Sequence, residues 1–330
     1  MRTFTGRLRP ALTLASLLLP LTALAGQPAD ARVWLARIHA AANERNYQGT
    51  MVFSSGGVLS SSRVSHFAVG EQTFERVEAL DGRQQRVYRV GDAVHTVWPQ
   101  TRIAVVERRL TVGGRPLATQ TVEPRVLEQY ELRSEGAERV AGREADVFLL
   151  QPRDEMRYAQ RLWADRATGL LLRADIVDAK RVVLESSAFS EVEVGVKPQP
   201  ETVTQPIKKL DGYRIVRPAQ HATQLAAEGW ALERLVPGFK LTGCTRRPLE
   251  TAEVDAGGPQ VLQAVYSDGL THVSLFIEPV QPNRELAELR AQMGATGTLR
   301  QRRGEFWITV MGDVPPATLK AFADALDRRR

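Results

Sequence analysis

The chain has 330 residues, a formal net charge of +6 at pH 7 and one cysteine, Cys244. This length is more than one hydrophobic core usually supports, so two domains are expected. A single cysteine excludes an internal disulfide bond. The modest charge and the lack of an aromatic-rich RNA-binding motif or a basic recognition helix argue against nucleic-acid binding.

The first 25 residues have the pattern of a secretory signal peptide. Three arginines, Arg2, Arg7 and Arg9, precede the uncharged run 11–21, and Ala23-Leu24-Ala25 supplies small residues for cleavage. The run is too short to cross a membrane as a helix, and no cysteine lies nearby to carry a lipid. We predict cleavage after Ala25 and a location in the periplasm. Loss of the three arginines lowers the net charge from +6 to +3.

A helix followed by a series of strands is predicted next. Asp30 is a suitable N-cap, and Trp34, Leu35 and Ile38 recur at helical spacing. Alternating patterns predict strands at 48–54, 58–69, 73–80, 84–90, 93–98 and 103–108. Asp81-Gly82 and Gly91-Asp92 are predicted hairpin turns that join consecutive strands, so an antiparallel sheet is expected.

Residues 158–175 predict a β-hairpin with one apolar face. If 165–169 form the loop, the cross-strand pairs on that face are Ala164 with Leu170, Leu162 with Leu172, Gln160 with Ala174 and Tyr158 with Ile176. The opposite face carries Arg161, Arg173 and Asp175. Such a face is either ordinary core or one wall of a lipid-accommodating cavity.

A proline-rich stretch divides the chain into two predicted domains. Residues 196–212 read as a linker, which places the first domain at 26–195 and the second at 213–330. In the second domain, a hairpin around Asp268-Gly269 has one predominantly apolar face. Helices predicted at 283–293 and 317–326 are candidates to cover it, the latter through Leu319, Phe322, Ala323 and Leu326.

The sequence lacks the common catalytic motifs. There is no nucleophile elbow, P-loop, dinucleotide-binding glycine motif or His-Glu-x-x-His zinc motif. Ser60, Ser61 and Ser62 lie near His66 and resemble a nucleophile with its base, but serines beside Gly56-Gly57 are more often turn and edge residues. The five histidines are scattered. We predict a non-enzymatic protein with no metal site and no cofactor.

Five segments spread over both halves of the chain are NYQGTMVFSSGG (46–57), YRVGDAVHTVWP (88–99), YAQRLWADRATGLLLRAD (158–175), VPGF (236–239) and YSDGLTHVSLFIEP (266–279). Together they resemble the MucB/RseB family of periplasmic negative regulators of an extracytoplasmic sigma factor response. The resemblance implies an α+β protein. Its large N-terminal domain would be an unclosed antiparallel β-barrel, similar to LolA and LolB, that wraps helices. A smaller C-terminal sheet-and-helix domain would follow.

The resemblance also implies an activity. Members bind the periplasmic part of a MucA/RseA-type anti-sigma factor and shield it from regulated proteolysis, and lipid or lipopolysaccharide fragments relieve the shielding. A homodimer is a further implication. The alternative is a periplasmic carrier of lipids or lipoproteins, but a second domain of this size argues against it, because a simple carrier would not need one.

Two groups of residues follow as site predictions from residue type and position. For lipid binding we predict apolar side chains on strands of the first domain: Met51, Phe53, Phe67, Phe74, Val97, Trp98, Leu162, Leu170 and Leu172. For partner binding we predict aromatic and arginine side chains of the second domain, which are enriched at interfaces: Arg246, Arg247, Tyr266, Phe276 and Arg303.

Overall fold

A computed structural model describes residues 31–108, 122, 124–248, 260–282 and 286–329. The predicted signal peptide, residues 1–25, lies outside the described residues. Within the described ranges, two large, mainly antiparallel sheets dominate the fold, and three α-helices pack on them. No helix among the described residues is both long and apolar enough to cross a membrane.

The first sheet has twelve strands. They are β1 (Tyr47–Ser55), β2 (Val58–Val69), β3 (Gln72–Ala79), β4 (Arg86–Val90), β5 (Ala93–Trp98), β6 (Ile103–Arg108), β7 (Tyr130–Val140), β8 (Arg143–Pro152), β9 (Ala159–Asp165), β10 (Leu171–Val177), β11 (Val183–Val194) and β12 (Arg214–Val216). Their order is β12-β6-β5-β4-β3-β2-β1-β11-β10-β9-β8-β7. Within the described residues, β12 and β7 form the two ends of the sheet and do not pair, which confirms the predicted unclosed antiparallel architecture.

Helix α1 (Ala31–Glu44) packs against one face of this sheet. Trp34, Leu35 and Ile38 are buried, as their helical spacing predicts. The Trp34 ring lies 4.1 Å from that of Phe148 on β8. A short 3-10 helix, Pro124–Glu128, lies beside α1 and adds Val126 to the same core.

Helix α2 (Glu201–Lys208) lies inside the range that we predicted as a linker. It packs against β3 and β4, and strand β12 then joins the first sheet in parallel to β6. Pro200 is the N-cap of α2, and Val203 is fully buried. The prolines concealed this helix, because proline at a helix start is tolerated but in a sequence is typical of loops. The domain boundary at 196–212 remains a proposal.

The 158–175 hairpin forms with the predicted faces but a different register. Leu162 pairs with Ala174 instead of Leu172, and Gln160 pairs with Ile176. Ala164 pairs with Leu171 instead of Leu170, and a bulge between Leu171 and Arg173 adds a second residue to the shift. Since the shift is two residues along the strand, the face of each later side chain is unchanged.

The second domain contains a seven-stranded sheet. Its order is β13 (His221–Ala222), β15 (Lys240–Pro248), β16 (Gln260–Ser267), β17 (His272–Pro279), β20 (Phe306–Gly312), β19 (Thr296–Arg303) and β18 (Leu289–Met293). Strands β14 (Trp230–Leu232) and β21 (Leu326–Arg328) form a separate pair. Helix α3 (Pro316–Ala325) covers one face through Leu319, Phe322 and Ala323, which confirms that prediction.

The predicted helix at 283–293 is wrong over the part that the structure describes. Residues 289–293 form the edge strand β18, and all five side chains are exposed. Gly294 and Ala295 make a two-residue turn into β19, and Gly294 has the positive φ of 58° that such hairpin turns require. Pairing with β19 therefore overrides the helix propensity of Leu289, Ala291 and Met293.

A buried ion pair joins the two domains. Arg157, in the β8–β9 connection, donates from Nε to Asp268 Oδ2 at 2.7 Å, and both side chains are fully buried. Tyr130 donates its hydroxyl proton to the same oxygen at 3.1 Å. Arg157 also bonds to Asp154 and to the Pro237 carbonyl oxygen, so its fork is well satisfied.

We expect Arg157→Met to lower the free energy of unfolding by about 3–5 kcal/mol, because Asp268 would remain buried without its counterion. Chemical denaturation followed by circular dichroism measures this. Arg166→Met is the matched control, since Arg166 pairs with Asp146 at 2.6 Å in an exposed position. Equal losses for the two variants would contradict a stabilising interdomain pair.

Candidate functional site

Seven of the nine predicted lipid-binding residues divide into two groups on opposite faces of the first sheet. Met51, Leu162, Leu170 and Leu172 lie in the core around α1 and are buried. Tyr47 and Phe189 belong to the same core, with their rings 5.9 Å apart. The apolar face of the hairpin therefore packs against a helix of the same domain.

Phe67, Phe74 and Val97 lie in a second core around α2, on the opposite face of the sheet. Tyr88, Ala104 and Val203 complete this group, and Ile207 packs against its margin. The sequence did not indicate this division, because it depends on α2 lying over β3 and β4. The nine predicted residues thus do not form one continuous wall.

Phe53 and Trp98 belong to neither core, and both side chains are only half-buried. Phe53 pairs with Ser60 and Ser187 across β2 and β11, and Trp98 pairs with Ile103 at the β5–β6 turn. They are the two members of the predicted group whose side chains are not buried in a core.

Neither of two pockets in the described part of the chain contains any of the nine residues. One of about 460 Å³ has polar lining from Gln48, Thr50, Glu191 and Glu193. The other, of about 470 Å³, lies between Met156 of the first domain and α3 of the second. In the described arrangement, an acyl chain that contacts Leu162 or Phe67 must replace contacts of α1 or α2.

Arg246 and Arg247 point to opposite faces of the second sheet. Arg246 bonds to Glu228, and this hydrogen bond lowers the pKa of Glu228. Arg247 donates to Gln263 Oε1 at 2.8 Å and lies over the Phe276 ring, with 5.8 Å from the guanidinium carbon to the ring centroid. Only Arg247 and Phe276 of the five predicted partner residues therefore adjoin one another on the face opposite α3.

Tyr266 and Arg303 have structural roles in the described arrangement. Tyr266 is 4% exposed, and its ring lies 5.3 Å from that of Phe322 on α3. Burial raises the pKa of Tyr266 to about 12. Arg303 donates to the carbonyl oxygens of Ala323 and Leu326 and so caps the end of α3. The prediction that these two side chains contact a partner directly has no support from their positions.

The face opposite α3 is half-exposed and carries further arginines that the sequence analysis did not select. Pairing aligns Phe276 with Thr309 and Thr309 with Arg300. Met311, two residues after Thr309 on β20 and on the same face, is 40% exposed. No short motif marks these residues, but the alternation of buried and exposed side chains along β19 and β20 is a signal that could have located them.

Cys244 and the histidines provide no evidence of a catalytic site. Burial raises the pKa of the Cys244 thiol to about 11, so the reactive thiolate is disfavoured. His66 is buried, with Nδ1 2.9 Å from the Arg45 carbonyl oxygen and Nε2 3.9 Å from Glu75. These contacts orient its ring nitrogens toward groups other than Ser60–62. Among the described residues, no cluster of three or more His, Cys, Asp or Glu could hold a metal ion.

The sequence analysis did not predict the buried polar cluster of Arg157, Asp268 and Tyr130. Asp268 lies in an Asp-Gly turn and accepts the backbone N–H groups of Leu270 and Thr271 at 2.9 Å each, which is the ordinary role of a turn aspartate. Its partner Arg157 is 111 positions away. Burial and the Asp268 charge raise the pKa of Tyr130 well above its usual value, so the phenol remains a donor.

Relatives with regulatory names match almost the whole chain. The Pseudomonas aeruginosa sigma factor AlgU regulatory protein MucB is 32% identical over 306 residues, or 91% of each chain. The Haemophilus influenzae sigma-E factor regulatory protein RseB is 27% identical over 309 residues, or 93% of this chain and 95% of that protein.

Solved structures agree in fold. A crystal structure of MucB in complex with MucA(peri) has a TM-score of 0.68 at 29% identity, and the match covers 91% of this chain and 100% of that chain. The complex structure of Pseudomonas aeruginosa MucA/MucB has a TM-score of 0.69 at 28% identity, with 92% and 100% covered.

The family patterns account for both domains in order. The pattern of the MucB/RseB N-terminal domain matches residues 30–207, which is more than half of the chain. The pattern of the MucB/RseB C-terminal domain matches residues 224–327. The chain therefore belongs to the MucB/RseB family.

Proposed function

We propose that this protein acts in the periplasm, binds the periplasmic region of a MucA/RseA-type anti-sigma factor and protects that region from proteolysis. The observation that carries the proposal is the similarity over 91% of the chain to MucB solved in complex with MucA(peri). Relatives named as sigma factor regulatory proteins support the same role. The chemistry required is binding, for which no catalytic group is needed.

The partner surface that we propose is the half-exposed face of the second sheet around Arg247, Phe276 and Arg300. An aromatic ring beneath a guanidinium, beside further arginines, suits a segment that carries both acidic and apolar side chains. Arg246 is paired with Glu228 at the opposite face, which makes it a weaker candidate. Tyr266 and Arg303 act by holding α3 in place.

Lipid or lipopolysaccharide is proposed as the signal that weakens partner binding. Burial of an acyl chain contributes about 0.8 kcal/mol per CH₂, so exchange of helix contacts for lipid contacts in the first domain is energetically reasonable. A ligand that favours a different arrangement of the interior lowers partner affinity by the same coupling free energy, reciprocally. The buried contact of Arg157 with Asp268 ties the second domain to the first, which favours this regulator over a carrier that uses the first domain alone.

We expect Arg247→Gln to weaken binding of the anti-sigma factor's periplasmic segment about tenfold, because an interfacial arginine at an aromatic ring is a typical hot spot. Titration of the labelled segment, with its protection from the cleaving protease as a second readout, measures the effect. Arg139→Gln is the control, since Arg139 is an exposed arginine on β7, in the other domain. Unchanged affinity in Arg247→Gln would place the partner elsewhere.

We expect Leu172→Phe to reduce lipid affinity, because the added volume in a fully buried position competes with an acyl chain for space. Overpacking of this kind costs about 1–3 kcal/mol, so the variant should still fold. Binding of a fluorescent fatty acid and of lipopolysaccharide fragments measures the change. Leu59→Phe, at an exposed position, is the control. A folded Leu172→Phe variant with unchanged lipid affinity would exclude this part of the interior as the lipid site.

A further inference from the structure

The turn between β18 and β19 forms a second contact between the domains. Ala295 at this turn is fully buried within the core of the first domain. Its neighbour Gly294 lies so close to Ser55 Oγ and the Leu184 carbonyl oxygen that a Cβ atom would collide with both. Gln292 donates to the Tyr158 hydroxyl at 2.9 Å. The hairpin tip of the second domain is thus seated against β1 and β11 of the first.

The carboxylates of Glu185 and Asp313 interact electrostatically at this contact. Glu185 on β11 lies opposite Ser55, with Oε2 3.4 Å from the Ser55 hydroxyl, and accepts the backbone N–H of Ala295 from the other domain. Asp313 follows β20, and its Oδ1 accepts the Thr296 hydroxyl at 2.6 Å. Glu185 therefore receives a hydrogen bond from each domain while a carboxylate of the second domain lies near it.

Among the described residues, no lysine, arginine or histidine forms an ion pair with Glu185 or Asp313. Ile176, the residue opposite Glu185 on β10, is apolar. Asp313 is the charged group that acts on Glu185, and Asp313 and Asp178 both act on the Tyr158 hydroxyl, which Gln292 of the hairpin contacts. The surroundings favour a neutral, protonated Glu185.

We propose that Glu185 and Asp313 make this interdomain contact proton-dependent, so that the hairpin tip is held tightly when Glu185 is protonated and is released more readily when Glu185 is ionised. Protonation removes the unfavourable burial of the Glu185 charge and its repulsion from Asp313, and these two effects outweigh the hydrogen bonds from Ser55 and Ala295, which favour the carboxylate. The Arg157 and Asp268 contact gives the interface a second attachment whose guanidinium stays charged at these pH values. Proton release therefore loosens one of the two contacts and leaves the other.

The direction and size follow from proton linkage. Burial, followed by the Asp313 charge, raises the pKa of Glu185 from 4.5 to about 7. The docked hairpin therefore binds a proton that the separated hairpin releases, and its extra stability is complete below pH 4.5 and is lost as the pH rises through 7. If separation restores the ordinary pKa, the docking equilibrium is about tenfold more favourable at pH 6 than at pH 8.

Hydrogen exchange of the full chain tests this inference. The backbone amides of residues 294–296 should be protected about tenfold more at pH 6 than at pH 8, after correction for the intrinsic exchange rates. Glu185→Gln, which is neutral and nearly isosteric, should abolish that difference. Glu193→Gln is the matched control on the same strand, because Glu193 is exposed and bonds to Gln48. It should retain the wild-type difference.

Asp313→Asn provides a second variant if Glu185→Gln does not fold. Loss of the neighbouring charge should shrink the pH difference without abolishing it, because the burial of Glu185 persists. Equal protection at the two pH values in the wild-type chain would overturn the inference. A tenfold difference that persists in Glu185→Gln would also overturn it, because the proton would then belong to another group.

Discussion

The pairing of β1 with β11 is the interaction on which the first domain depends. It joins two consecutive meanders, β1 to β6 and β7 to β11, into one sheet. Thr50 on β1 donates to Glu191 on β11 at 2.7 Å across 141 positions of the chain. Closing so long a loop has an entropic cost, which must be offset by the ladder and by the core beneath it. A bulge after Thr50 bends this junction.

The helices packed on the first sheet determine which of its apolar side chains are open to a ligand. One face of the sheet is covered by α1, and the opposite face is covered by α2 over β3 and β4, so the apolar side chains that a lipid would contact already have partners. Lipid binding in such a domain is a competition between acyl chains and the protein's own helices. That competition gives a physical route from an occupied interior to a changed surface, because a displaced helix must find a new position.

The domain interface combines two contacts of different character. The contact between Arg157 and Asp268 joins opposite charges with full burial, whereas the contact at Glu185 brings like charges together. The first stabilises the arrangement of the domains under all conditions in which the carboxylate is ionised. The second depends on a proton. The contact at Arg157 can therefore hold the domains together while the contact at Glu185 opens or closes with pH, as a regulator that responds to its surroundings requires.

Much of the secondary structure was predictable because it is encoded locally. The spacing of Trp34, Leu35 and Ile38 indicated α1, and alternation with glycine-containing turns indicated most strands of the first sheet. The faces of the 158–175 hairpin were also correct, although its register was not, since a bulge leaves no sign in the sequence. The helix predicted at 283–293 failed over 289–293, because pairing with β19 outweighs local propensity.

The sites were less predictable, since they depend on which distant residues meet. Residue type correctly selected Arg247 and Phe276 as neighbours, but it could not tell them from Tyr266, which packs under α3, or Arg303, which caps that helix. By itself the sequence determined the export signal pattern, the antiparallel character of the fold and its family resemblance, because each is written in short-range order. Only the tertiary structure decided the placement of α1 and α2 on opposite faces of the first sheet, the burial of Arg157 against Asp268 and the electrostatic contact of Glu185 with Asp313. Each of these depends on contacts between segments far apart in the chain, and the energies of burial and charge arise only when those segments meet.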